Sequence, residues 1–303
     1  MSLSSWNDTK TKQTILDFVA DVTDENGSHY VSPSERIATF DNDGTLWCEH
    51  PMPVQFQGAL DGLAMLVEKK PNLRERPLYK AVVEKDLAWF APYLNNERIP
   101  ELVGMLLQAA AGETQSEFES RISAWLETAH HPHFKKLYKK MTYVPMVELL
   151  DYLRANDFRV FIVSGGGMDF VRLLSEEIYG VPRENVVGSN LKLEWEYRDG
   201  VPELVRQAGL VDPFCDGPGK PINIQLHVGR PPILVGGNTD GDLPMMEFAA
   251  ATGKPYLNLL VKHDDAEREY DSDASAKIAQ KTAKERGWII ISVKEDFKTV
   301  FAD

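Results

Sequence analysis

Three short apolar segments, each followed by a loop of polar residues and glycines, limit the possible folds of this chain more than any other feature. The segments and their loops are residues 37–40 before 41–44 (DNDG), 159–163 before 164–167 (SGGG), and 233–235 before 236–242 (GGNTDGD). Apolar runs of this length between turn residues are typical of buried strands. Helical patterns separate them, so we predict an α/β fold, with a doubly wound, mostly parallel sheet and helices on both faces.

Other segments fit the same pattern. Residues 8–22 place apolar side chains on one helical face, so the chain opens with an amphipathic helix. Residues 191–197 and 201–205 flank Arg198-Asp199-Gly200 and predict a β-hairpin. The remaining expected elements are helices over 145–154 and 168–179 and strands beginning at Val186, Tyr256 and Trp288.

A long stretch without strand patterns interrupts this alternation. From residue 54 to residue 143 the pattern is helical, with candidate helices over 57–68, 78–93, 99–111, 116–127 and 133–140. An all-helical block between strand-bearing stretches is typical of a domain inserted into a loop of another domain. We therefore expect a core domain of residues 1–53 and 144–303 and an inserted all-helical domain of residues 54–143.

The charge balance limits the partners. The 303-residue chain has 33 basic and 46 acidic residues, a formal net charge of −13. This field repels polyanions, so we expect no nucleic-acid partner, whereas a bound cation can reverse the sign within one pocket and admit a small anionic substrate. No apolar run approaches the roughly 18 residues that span a bilayer. No signal-peptide pattern follows Met1, so we expect a soluble protein, either cytoplasmic or exported and freed of its signal.

Acidic and amide side chains follow two of the predicted strands. Asp41 and Asp43 end the first, and Asn238, Asp240 and Asp242 end a later one. Ligands of an open α/β sheet bind outside the carboxyl ends of its strands, where these loops meet. Of two aspartates two residues apart, the first can attack an electrophile and the second can transfer a proton. The oxygens of Asp41, Asn238 and the Asp43 carbonyl suit Mg²⁺, although either loop alone fits a capped turn equally well.

A strand, a glycine-rich turn and a helix follow one another around Ser164, Gly165 and Gly166. A βα unit of this kind cradles phosphate at the N-terminus of its helix. We therefore expect these three residues to contact an anionic group of the substrate.

Four segments together resemble the signatures of the haloacid dehalogenase superfamily. Residues 39–47 (TFDNDGTLW) resemble its first signature, DxD followed by Gly or Ser and then Thr, and residues 162–166 (IVSGG) resemble its second. Lys220, at the start of a predicted helix, has the position of its third, and residues 237–245 (GNTDGDLPM) resemble its fourth, usually GDxxxD. Four signatures in this order make a specific match, which covers residues 34–53 and 143–261.

This resemblance implies a Rossmann-like core and a Mg²⁺-dependent phosphatase that forms an aspartyl phosphate. Asp41 would be the nucleophile and Asp43 the general acid and base. Ser164 and Lys220 would hold the phosphoryl oxygens. The metal site that the resemblance implies consists of Asp41, Asp43, Asn238 and Asp242.

The chain departs from the family pattern at Asn238, where the metal-binding aspartate usually stands. The helical block has the position of the cap of phosphoserine-phosphatase-like members, which closes over the site. Glu49 lies close in sequence to the position at which those phosphatases have the acidic residue that binds the substrate amine. The resemblance thus implies a small phosphomonoester, amino-bearing if Glu49 has that role, whereas a solvated loop carboxylate is an equal alternative for Glu49. Lys254 and Lys262 compete with Lys220 for the third signature.

Alternative functions remain open. Within the superfamily, a 2-haloacid dehalogenase needs no proton donor for its halide, so Asp43 favours the phosphatase, whereas a phosphomutase would share all these residues. A ligand-binding relative without catalysis is the alternative from another class. Asn238 is the one feature that supports it, and the intact pair of Asp41 and Asp43 opposes it.

Overall fold

The computed structural model describes residues 3–93, 99–272 and 275–302. The chain divides into two compact units. The first consists of Met1–His50, Leu126–Ser189 and Pro213–Asp303, and the second of Pro51–Trp125 and Asn190–Asp212.

The strands of the described residues alternate with helices along most of the chain. In order, the strands are β1 Ile37–Phe40, β2 Arg159–Gly167, β3 Val186–Ser189, β4 Leu191–Arg198, β5 Val201–Leu210, β6 Leu234–Gly237, β7 Leu257–Asp264, β8 Asp271–Ser272 and β9 Ile289–Ser292.

The α-helices extend from a first one before β1 to a last one after β9. They are α1 Lys10–Thr23, α2 Val54–Lys69, α3 Pro77–Glu84, α4 Leu87–Phe90, α5 Ile99–Ala110, α6 Gln115–Leu126, α7 Val144–Ala155, α8 Met168–Tyr179, α9 Gly219–His227, α10 Leu243–Ala250, α11 Lys277–Arg286 and α12 Val293–Asp296. Within the part of the chain that the structure describes, no helix is long and apolar enough to cross a bilayer.

The first unit is built on a sheet with the order β3-β2-β1-β6-β7, to which β9 adds beside β7. All these pairs are parallel, and only the short β8 runs antiparallel to β7. The predicted α/β fold with a mostly parallel sheet is therefore confirmed. The central strands β1 and β6 are buried along their whole length, as expected for strands covered by helices on both faces.

Strand register brings the predicted site loops to one edge. Phe40, the last residue of β1, pairs with Ile162 of β2 and with Gly236 of β6. A Cβ on Gly236 would lie 2.4 Å from the Phe40 ring, so glycine permits this close pairing. The segments that follow Phe40, Ile162 and Gly236 consequently lie side by side at the carboxyl edge of the sheet.

The second unit is helical but also contains the hairpin β4–β5, which we had expected in the core domain. The hairpin belongs there because Arg206 on β5 donates its backbone N–H to Glu113 O at 2.9 Å and accepts from Gly112 N at 2.9 Å. The Arg206 guanidinium also lies 3.8 Å from the centre of the Phe118 ring. These contacts join two segments that are distant in sequence, and they exclude an entirely helical unit.

Residues 126–143, expected in the inserted domain, belong to the first unit instead. Cys48 N donates to Met141 O at 3.0 Å, and Tyr143 N donates to Leu46 O at 2.9 Å, which ties this segment to the loop after β1. The helix expected over 133–140 does not form, because Lys135 has a φ of 58° and only a 3-10 turn at Tyr138–Lys140 follows.

Candidate active site

A buried lysine joins three of the strand ends. Lys220, the second residue of α9, is 2% exposed. Its Nζ donates to Asp41 Oδ1 and Asp242 Oδ1, each at 2.7 Å, and to the carbonyl oxygen of Val163 at 2.9 Å. The three donors of an ammonium group are thereby used. Lys254, by contrast, pairs with Glu35 on the surface.

The charged groups of this cluster are buried, so burial and charge pairing shift their pKa values in opposite directions. Burial alone would lower the pKa of Lys220, but Asp242 and Asp41 raise it, so the side chain stays an ammonium. Burial raises the pKa of Asp41, and Lys220 opposes that shift. A second cation near Asp41 would lower its pKa and favour the carboxylate that a nucleophile requires.

Asp242 organises the loop after β6. Its Oδ2 accepts from the backbone N–H groups of Asn238 and Thr239 at 2.8 and 2.9 Å, while its Oδ1 accepts from Lys220. Asp240 points elsewhere, since its Oδ1 accepts from Ala279 N in the first turn of α11 at 2.7 Å. Asp242 therefore fixes the site loop, and Asp240 caps a helix.

The loop after β1 fixes the side chain of Asp43, the second aspartate of the first signature. Asp43 Oδ1 accepts from the Trp47 indole Nε1 at 2.9 Å. The intervening Asn42 Oδ1 accepts from the buried Tyr179 hydroxyl at 2.9 Å. Burial raises the pKa of Asp43, with the Trp47 hydrogen bond opposing the shift. A raised pKa favours the protonated form that a general acid requires.

Residues 164–167, which we predicted as a glycine-rich turn, are instead the last four residues of β2, with a register shift against β3 between Ser164 and Gly167. Ser164 is buried, and its Oγ accepts from Gly166 N at 3.0 Å. Ser189 Oγ on β3 donates to Gly165 O at 2.9 Å, which anchors this end of β2 to the neighbouring strand. Ser164 directly follows Val163, whose carbonyl accepts from Lys220, so the predicted anion-binding turn starts beside the lysine.

Glu49 and Asn238, which lie 189 residues apart in sequence, are in direct contact. Asn238 Nδ2 donates to Glu49 Oε1 at 3.0 Å, and Asn238 Oδ1 accepts from Thr45 Oγ1 at 3.1 Å. Burial and the neighbouring charge of Asp43 raise the pKa of Glu49 to about 7. Thus Glu49, which we expected at a substrate amine, lies against the loop of the fourth signature.

Sequence reasoning missed a buried network behind the loop after β1. His263 at the end of β7 donates from Nε2 to Gly44 O at 2.8 Å and from Nδ1 to Glu269 Oε2 at 3.0 Å. Glu269 Oε1 also accepts from the Tyr143 hydroxyl at 2.7 Å. Burial opposes both charges, yet their pairing raises the pKa of His263 and lowers that of Glu269. His263 and Glu269 are only six residues apart, but Gly44 and Tyr143 are distant from them in sequence, and no local motif marks the network.

The oxygen atoms at this edge fit a hard divalent cation. Among the described residues, no three His, Cys, Asp or Glu side chains are placed as a closed metal site. The available set is instead the Asp41 carboxylate, the Asp43 carbonyl and the Asn238 amide oxygen, which is the donor chemistry that Mg²⁺ accepts together with water. Burial raises the pKa of both Asp41 and Asp43, so a cation would relieve an unfavourable charge balance.

The family follows from the sequence comparison. Residues 38–247 match the model of the haloacid dehalogenase-like hydrolases, and the chain belongs to this family. The predicted resemblance is thereby confirmed, and the protein is classed as a hydrolase. No curated protein shows significant sequence similarity to the chain.

Solved structures share the fold. A protein of unknown function from Bordetella pertussis Tohama I has 16% identity and a TM-score of 0.54, with 85% of this chain and 98% of that chain covered. A conserved functionally unknown protein from Anaerococcus prevotii DSM 20548 has 14% identity and a TM-score of 0.58, with 96% and 94% covered. At these identities the similarity shows the fold alone.

Proposed function

We propose that the protein is a Mg²⁺-dependent phosphatase that hydrolyses a small phosphomonoester through an aspartyl phosphate on Asp41. The observation that carries this proposal is the Lys220 ammonium at 2.7 Å from both Asp41 and Asp242 in a buried site. A phosphoryl group that transfers to Asp41 would then develop its negative charge beside a fixed cation.

In the first step, a carboxylate oxygen of Asp41 attacks phosphorus, and the bond from phosphorus to the ester oxygen breaks. The carboxylic proton of Asp43 moves to that departing oxygen and produces a neutral alcohol. Lys220 holds Oδ1 of Asp41 and so orients the carboxylate for attack through its other oxygen. The raised pKa of Asp43 favours the protonated form that this step uses.

In the second step, Asp43, now a carboxylate, takes a proton from water as the water oxygen attacks phosphorus. The bond between phosphorus and Asp41 breaks, which releases inorganic phosphate and restores both aspartates. Ser164, Gly165, Gly166 and Lys220 are the proposed contacts of the phosphoryl oxygens. When bound by Asp41, Asp43 and Asn238, with Asp242 supporting the loop, Mg²⁺ supplies charge neutralisation to the phosphoryl group.

Asp43 favours phosphate chemistry over dehalogenation. A halide leaves without a proton, whereas an alkoxide needs one, and Asp43 is a half-buried acid with a raised pKa two residues after the nucleophile. The proposed substrates are small phosphomonoesters, including amino-bearing ones such as phosphoserine and phosphorylated amino alcohols.

Phosphate release from p-nitrophenyl phosphate, with and without Mg²⁺, tests the proposal. We expect Mg²⁺-dependent turnover in the wild type and its loss in Asp41→Asn. Asp240→Asn is the matched control, since the same chemical change falls on a carboxylate that caps α11. Metal-dependent turnover that survives in Asp41→Asn would overturn the role of Asp41. No hydrolysis of this ester, phosphoserine, phosphocholine or phosphoethanolamine would overturn the phosphatase assignment.

A further inference from the structure

The proposed cation site lacks one carboxylate at Asn238, yet another carboxylate touches that side chain. Glu49 Oε1 accepts from Asn238 Nδ2 at 3.0 Å. We propose that Glu49 supplies the negative charge that Asn238 does not carry, so that the two residues together form one acidic arm of the cation site. This inference rests on the proposed function and deepens it.

The backbone around Glu49 is fixed on both sides. Before it, Cys48 N donates to Met141 O at 3.0 Å. After it, His50 O accepts from His131 Nε2 at 2.6 Å. His131 is fully buried and its Nδ1 accepts from the backbone N–H groups of residues 133 and 134, so Nε2 carries the proton. The contact with Asn238 is therefore made by a side chain on an anchored loop.

Space for the pair is provided by Gly44. Its φ is +73°, and a Cβ there would lie 1.9 Å from Asn238 Nδ2 and 2.6 Å from Glu49 Oε1. The loop of the first signature thus approaches both side chains as closely as a glycine allows. Glu49, Asn238 and the loop that carries Asp41 and Asp43 are consequently one packed arrangement.

The chemistry of the pair explains why an amide is suitable at position 238. An aspartate there would lie about 3 Å from the Glu49 carboxylate, and like charges at that separation oppose each other. The amide avoids this repulsion because its nitrogen donates to Glu49, while its oxygen accepts from Thr45 at 3.1 Å and has a second lone pair. A carboxylate and an amide give this part of the site the same formal charge as a lone aspartate at position 238.

Mg²⁺ binding to the full chain without substrate tests the inference, measured by calorimetry and, with Mn²⁺, by electron paramagnetic resonance. Glu49→Gln keeps the size of the side chain and removes its charge, and we expect the Kd to rise about 10- to 100-fold. The double variant Glu49→Gln with Asn238→Asp moves the charge across the contact, and we expect it to recover most of the lost affinity. Glu25→Gln, the same change at an exposed residue after α1, should leave the Kd unchanged.

Two results would overturn the inference. Glu49→Gln that is folded by circular dichroism and binds Mg²⁺ like the wild type would exclude the charge role. A double variant no better than Glu49→Gln would show that the charge does not act through position 238. If Glu49→Gln raises KM for phosphoserine and not for p-nitrophenyl phosphate at unchanged metal affinity, Glu49 contacts a substrate amine instead. Because these variants are compared by binding, failure of the inference is distinct from an absence of phosphatase turnover.

Discussion

Gly44→Ala should destabilise the protein by more than backbone strain alone. Gly44 has a φ of +73°, and a left-handed conformation costs a residue with a Cβ about 1–2 kcal/mol. The added methyl group would also overlap Asn238 and Glu49, at 1.9 and 2.6 Å. Overpacking of this kind typically costs about 1–3 kcal/mol, so we expect a total loss of about 2–5 kcal/mol in the free energy of unfolding.

Gly253→Ala is the matched control for this experiment. Gly253 has a φ of +70°, but a Cβ there meets no atom within 4 Å. The control therefore carries the strain without the overlap, and we expect a loss of about 1–2 kcal/mol. Unfolding in urea, followed by circular dichroism for both variants and the wild type, measures the difference.

The excess of Gly44→Ala over Gly253→Ala, about 1–3 kcal/mol, isolates the contact with the pair of Glu49 and Asn238. The same displacement should weaken Mg²⁺ binding in Gly44→Ala and leave it unchanged in Gly253→Ala. Equal destabilisation of the two variants would refute the reasoning. It would mean that Asn238 and Glu49 move away from the added methyl group without a cost in folding free energy, so that the packed arrangement is not rigid.

Two further variants probe the charges of the buried core. Lys220→Met leaves Asp41 and Asp242 without their shared cation, so turnover should fall to background. Burial raises the pKa of Asp41, and protonation removes its unpaired charge, so the melting temperature should drop more at pH 8 than at pH 5. An equal drop at both pH values would contradict this. Glu269→Gln should cost about 3 kcal/mol between pH 4.5 and 6.5. The pairing of Glu269 with His263 lowers one pKa from 4.5 and raises the other from 6.5, so the difference from wild type in thermal unfolding should shrink on either side of that window. A pH-independent difference would show that the pair is not charged.

The sheet was predictable because its signals are local, although β2 continues to Gly167, beyond the expected strand end at Val163. Within ten residues, an apolar run followed by Asp41 and Asp43, or by Ser164 and glycines, predicts both a strand and the polar segment after it. Parallel pairing then places these segments at one edge of the sheet. Lys220 required the order of the four signatures, since a lysine at the start of a helix is by itself an ordinary surface residue.

The parts that could not be predicted depend on distant contacts. The hairpin was recognised, but its place in the second unit depends on Arg206 pairing with residues 112 and 113, which no local pattern encodes. The contacts of Glu49 with Asn238 and of Glu269 with Tyr143 likewise join segments that are distant in sequence. Tertiary packing decides such contacts, and hydrophobic periodicity carries no information about them.

The division of the second unit between residues 51–125 and 190–212 has a consequence for biosynthesis. During translation the helices of this unit leave the ribosome before the hairpin that completes it, and the strands β2 and β3 of the first unit emerge in between. Because both units consist of separate segments of the chain, neither can be completed before synthesis of the other has begun. The unit finishes only after about 65 intervening residues have been made, so nascent chains stalled before residue 190 should leave the partners of Arg206 open to chaperones.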